Sequence, residues 1–243
     1  MSKIRKKYFI KLFGRILILI LSIILAIYFP NNFTILNKNN FFTQLSLFHI
    51  LWLIWIIDII LQIIPIKNNL ALGSKKLFSN YFIPTKTKVN YKALKKYIKT
   101  TTKSAYKVFI IWGLLIICIG LLYYNNILNK NALLLISIFF YVCDLICVLI
   151  WCPFSLIMKN KCCTTCRIFN WDHLMMFTPL IFINSFFTIS LLITSALAFI
   201  QWELFILFYP ERFWEITNTS LKCSNCTDKL CTQHCQKLRK KQN

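Results

Sequence analysis

Long apolar blocks alternating with short polar segments set the architecture of this chain. The blocks run from about Leu12 to Tyr28, Leu45 to Ile64, Val108 to Tyr124, Leu133 to Trp151 and Leu174 to Tyr209. A helix needs roughly 20 apolar residues to cross a ~30 Å hydrocarbon core. Within that core every backbone N–H and C=O must be paired inside its own segment, which helices achieve and isolated strands do not. The alternating short strands of a membrane barrel are absent from the pattern. The sequence therefore predicts an all-α integral membrane protein, a bundle of about five transmembrane helices over residues 12–28, 45–64, 108–124, 133–151 and 174–200. Residues 1–217 form the helical membrane domain and 218–243 a Cys-rich basic tail.

The last block is the difficult one. Its 36 residues would extend about 54 Å as a helix, too long for one upright crossing and poor in turn residues for two. The pattern favours one crossing to about Ile200, then an interfacial segment from Gln201 to Trp214 whose Trp202, Tyr209 and Trp214 suit headgroup level. Five crossings place the tail on the side opposite the N-terminus.

Positive charge sets the orientation. Six Lys or Arg side chains precede Ile16 (Lys3, Arg5, Lys6, Lys7, Lys11, Arg15), the first connection carries only Lys38, and the loop 66–107 carries eleven lysines. The next connection has only Lys130, and the one after has Lys159, Lys161 and Arg167. This alternation predicts a multi-pass cell-membrane protein with a cytoplasmic N-terminus. The stretch is read as a retained first crossing because no small-residue cleavage site follows Pro30. In the cytoplasmic loop, Leu94, Tyr97 and Ile98 recur at helical spacing among lysines, which predicts a basic amphipathic helix on the inner leaflet. The net charge of +22 is thereby assigned to anionic lipid headgroups and not to nucleic acid.

Cysteine is the only chemistry-bearing pattern. Of eleven cysteines, eight form two groups: Cys152 with Cys162, Cys163 and Cys166, and Cys223, Cys226, Cys231 and Cys235 in the tail. Close thiol spacing lets a short loop present several thiolates to one soft ion, so both groups are candidate zinc or iron–sulfur ligands, with His173 or His234 as further donors. Disulfides are the alternative for a tail outside the cell. A membrane thiol–disulfide oxidoreductase is a separate reading, with Cys163 and Cys166 as its pair beside Lys161 and Arg167. A redox or membrane protein partner would follow from either electron-transfer reading.

Asp58 and Asp144 fall inside predicted crossings, where a charged side chain costs about 2.5–3.5 kcal/mol on insertion scales and calls for a partner. They admit a transporter reading or plain hydrogen bonding between helices. His49 reads as an interfacial hydrogen-bonder, Asn184 as an interhelical one, and Asp172 as the N-cap of the last helix. No Gly-rich phosphate loop, HExxH or GxSxG motif is present.

Overall fold

The computed structural model describes residues 3–38, 40–64, 73, 77–86, 89–160, 162–226 and 230. Seven α-helices carry the described fold: α1 (Lys3–Tyr28), α2 (Phe48–Ile63), α3 (Tyr91–Tyr124), α4 (Lys130–Leu149), α5 (Phe154–Met158), α6 (Asp172–Phe177) and α7 (Phe186–Phe208). Four of them, α1, α3, α4 and α7, are long and apolar enough to cross a membrane. Helix α2 is shorter at 16 residues, about 24 Å, and equally apolar.

Local chemistry fixes the helix ends. Pro30, which has no N–H and fixes its own φ, opens a 3-10 turn after α1. Asn90 and Asn129 cap α3 and α4, their side chains accepting from the backbone N–H of Ala93 at 3.1 Å and Ala132 at 2.8 Å. Ser185 and Thr188 form a capping box at the start of α7.

That capping box corrects the reading of the last apolar block. Residues 174–200 do not form one helix. Helix α6 ends at Phe177, a 3-10 segment runs over Thr178–Phe182 with Pro179 in its first turn, and Ile183 and Ser185 are extended. Pro179 cannot donate an N–H and Ser185 offers its side chain to a new helix, so the chain turns back where apolar composition alone suggested continuity. Residues 172–183 thus run from Gln62 at one end of the bundle to Tyr123 and Tyr124 at the other. Helix α7 returns, from Phe186 beside Phe41 to Gln201, whose Nε2 donates to the carbonyl of Ile63. Asn184 sits exposed at this turn, so the expected interhelical hydrogen bond is not its role.

The return places residues 209–226 at the end of the bundle that holds the cysteine loop and the start of α3. Trp214 stacks on Tyr97 with centroids 5.2 Å apart, Arg212 donates to the Leu77 carbonyl, and Thr219 N donates to Ile83 O at 2.8 Å. Trp202 is fully buried and donates to the carbonyl of Arg167 at 2.9 Å, so it is a core residue and not a headgroup-level one. The amphipathic stretch is also changed. It is the first part of the continuous 34-residue helix α3, about 51 Å long, and its Leu94 is buried. Its apolar face meets the segment after α7 through Tyr97, so the picture of a separate helix lying on a leaflet is dropped.

Three apolar clusters hold the described bundle. The largest surrounds Trp55, whose ring lies 4.9 Å from Phe177 and 5.7 Å from Tyr141. A second joins Val108, Trp171, Trp202 and Phe213 at the lysine-rich end, and a third joins Leu12, Val142, Leu145, Leu149 and Leu230. Outward faces remain apolar: Ile10 and Phe13 of α1 are 65% and 64% exposed. Exposed apolar surface on that scale suits lipid and not water.

Candidate functional site

The loop after α4 folds three thiols together. Helix α4 ends at Leu149, and Pro153 begins a turn into the short α5, which swings Cys152 back toward the helix it has left. Residues 163–165 form a 3-10 turn that brings Cys163 onto the same wall, its Sγ 3.2 Å from the carbonyl oxygen of Cys147. Cys147, absent from the sequence-based site, is the third member. Its thiol and that of Cys163 lie close enough to the Cys152 sulfur to influence its ionisation. Cys147 first and Cys163 second hold the Cys152 thiol below its ordinary value, with the backbone N–H groups of Phe154 and Ser155 assisting and burial opposing. Cys163 moves upward, first through its proximity to Cys152 and second through burial.

Cys162 and Cys166 line the same cavity, of about 370 Å³, together with Cys143, Asp144, Asp172 and Leu230. Cys223 and Cys226 lie in the segment that follows α7 and do not line it. Cys231, Cys235 and His234 lie outside the described residues, as does Lys161. Among the described residues, no group of three or more His, Cys, Asp or Glu side chains is arranged to hold a metal ion. Cys166, expected to pair with Cys163, lies across the 3-10 turn, and its backbone N–H donates to the Cys163 carbonyl at 2.9 Å.

A charged network lies deeper in the bundle. Arg15, only 8% exposed, donates to Asp144 at 2.7 Å and to the Tyr141 carbonyl at 2.6 Å, and lies 3.9 Å from Asp58. The Tyr141 hydroxyl donates to Asp58 at 3.1 Å, and the guanidinium sits 3.7 Å above the Tyr141 ring. Arg15 is thus a partner for both acids of the predicted crossings. Sequence reasoning assigned it to the N-terminal charge cluster, and its position among apolar residues was the available signal. Nearby, Asp172 accepts from Gln62 at 3.1 Å and lies 3.2 Å from His173 Nδ1. Asp172 is therefore not the N-cap; Trp171 occupies that position.

No family model, curated protein or solved structure matches the chain.

Arg167, Glu203 and His49 have structural partners. Arg167 grips Glu203 with two hydrogen bonds of 2.7 and 2.6 Å, and Trp171 Nε1 adds a third at 2.8 Å, pinning the cysteine loop to α7. His49 contacts the Phe41 carbonyl at 2.8 Å and the backbone of Ser46, the hydrogen-bonding role expected from its position.

Proposed function

We propose that the chain is a multi-pass membrane protein, N-terminus in the cytoplasm, that carries out thiol–disulfide exchange at its lysine-rich end. The observation that carries the reading is the gathering of Cys147, Cys152 and Cys163 around one cavity, with the Cys163 sulfur 3.2 Å from the Cys147 carbonyl oxygen. A thiolate attacks a disulfide, and a neighbouring thiol then resolves the mixed disulfide. Here the Cys152 thiolate attacks one sulfur of a substrate disulfide and expels the other as a thiolate. Cys163 or Cys147, losing its proton, next attacks Cys152 and releases the second substrate sulfur. Two electrons pass to the substrate, which leaves as two thiols after taking that proton and one from solvent. The lysine-rich end provides the basic face, next to anionic headgroups, that the orientation rule assigns to the cytoplasm.

Fully reduced protein treated with oxidised glutathione should lose two thiols from the trio, and Cys152→Ser should lose none of them. Equal thiol loss in wild type and variant sinks the reading.

Binding of zinc or an iron–sulfur cluster is the second reading, supported by Leu230, which lines the cavity beside Cys152 and Cys163 and so brings the tail to the same end. Cys152, Cys162, Cys163, Cys166, Cys223, Cys226, Cys231 and Cys235 are its candidate ligands. Anaerobically purified protein would carry stoichiometric zinc, or iron with sulfide; less than a tenth of an equivalent of either, on the order expected of contamination, removes it.

A further inference from the structure

The cavity beside the thiol trio has the chemistry of a site for a lipid-borne ring. Its carboxylates are already engaged, Asp144 by Arg15 at 2.7 Å and Asp172 by Gln62 at 3.1 Å. Its neutral polar groups are turned to the protein: Ser155 Oγ donates to the Cys152 carbonyl at 2.6 Å, and Asn160 Nδ2 to the Cys162 carbonyl at 3.1 Å. Trp112 Nε1 donates to Thr178 at 3.0 Å. A sugar, nucleotide or free anion would therefore leave its own polar groups unpaired on entry, which disfavours each of them.

What the cavity offers is aromatic carbon on one side and sulfur on the other. Trp112 lies 4.9 Å from Phe140 and 6.3 Å from Phe154, making a wall of three rings. Cys147, Cys152 and Cys163 stand among the residues that face the same space. Two further lining residues, Ile150 and Trp151, are 54% and 50% exposed just past the end of α4, so the rim is apolar and faces outward at the level where that long apolar helix ends. A volume of about 370 Å³ lies within the range of small-molecule sites.

We infer that this cavity binds a quinone, which withdraws two electrons from the Cys147/Cys152/Cys163 trio. The inference rests on the thiol-exchange reading run in its reverse direction, in which a substrate dithiol reduces the trio's disulfide to thiols, and names the acceptor that returns the trio to its disulfide form. In the balanced step, the Cys152 thiolate and one neighbouring thiol form a sulfur–sulfur bond. The pair loses two electrons and one proton, and the quinone takes both electrons with that proton and one from solvent to become the quinol. An aromatic wall favours a planar ring by stacking, and an apolar rim favours a ligand that partitions into the bilayer.

Full-length reduced protein in lipid nanodiscs is mixed with decylubiquinone, whose fully substituted ring cannot add thiols covalently. The expected result is saturable quinone reduction, with one quinol formed for every two thiols lost. Cys152→Ser should abolish it, and Cys118→Ser, at an exposed position of α3 outside the cavity, should leave it unchanged. Trp112→Ala should raise the half-saturating quinone concentration about tenfold, the loss expected for a stacked ring. Wild-type saturation needs no variant to fold and is itself decisive. If the quinone is not reduced while oxidised glutathione still oxidises the trio, the quinone site falls and thiol exchange stands. If neither reagent oxidises the trio, both fall. Reduction that rises in proportion to quinone without saturating also overturns the site.

Discussion

Arg15 shows how a single residue changes the meaning of others. Read as part of a basic N-terminal cluster, it set orientation; in the structure it is the counter-ion of Asp144 and lies near Asp58. Breaking a buried pair by removing one partner leaves the other charge uncompensated, at about 3–5 kcal/mol. Arg15→Met should therefore lower thermal stability in detergent sharply, whereas Arg15→Met with Asp144→Asn should recover part of the loss. A double variant as unstable as the sum of its single variants would show that the two side chains act independently. Cys152 gives a residue-scale prediction of a different kind. Its value is lowered in the fold, so the thiolate persists as pH falls below the ordinary thiol value of about 8.5 and is lost only near the lowered one. Alkylation of Cys152 at pH 6 should run close to its rate at pH 8. A steep fall between those values would contradict the lowered Cys152 value. The periodicity that located the helices contained no sign of Cys147 as a site residue, because its pairing depends on a loop that turns back at Pro153.

At the scale of elements, the apolar blocks were legible and their interruptions were not. Helices α1 to α4 cover their expected segments, since composition alone demands a segment that satisfies its own backbone, whereas α7 begins at Phe186 and not at Leu174. The turn at Thr178–Ser185 was hidden because the residues on both sides are apolar and a single Pro and Ser do little to hydropathy. Ser185→Ala removes a capping side chain from α7 and should cost about 1 kcal/mol. Thermal melts should show a clear loss for Ser185→Ala and little for the exposed neighbour Asn184→Ala; equal effects would mean the cap is unimportant. Gly120 marks a close approach of α3 to the 3-10 segment, where an added Cβ would lie 2.5 Å from Phe182 Cζ. The ring tip would have to move for an alanine to fit, and a larger residue should separate the two segments. Arg167 and Glu203 fix a third junction, between the cysteine loop and α7. Glu203→Gln should lower the melting temperature and speed proteolysis within residues 159–171; unchanged cleavage there would remove its role as a clamp.

For the whole molecule, the return of the chain through residues 172–208 brings the tail segment, the thiol trio and the lysine-rich start of α3 to one end. The apolar blocks carried part of this organisation, and the turn at residues 178–185 was the missing piece. Reporters fused to the N- and C-termini should consequently read the same side of the membrane in cells, and opposite readings would reject the shared end. The function proposed for that end rests on the three sulfurs being able to form one bond among themselves. Its most direct test is to oxidise the full-length protein in native membranes with oxidised glutathione, digest it without reduction, and map the cross-linked peptides. The account predicts a disulfide joining Cys152 to Cys163 or to Cys147, and a map in which Cys152 stays a thiol would contradict it.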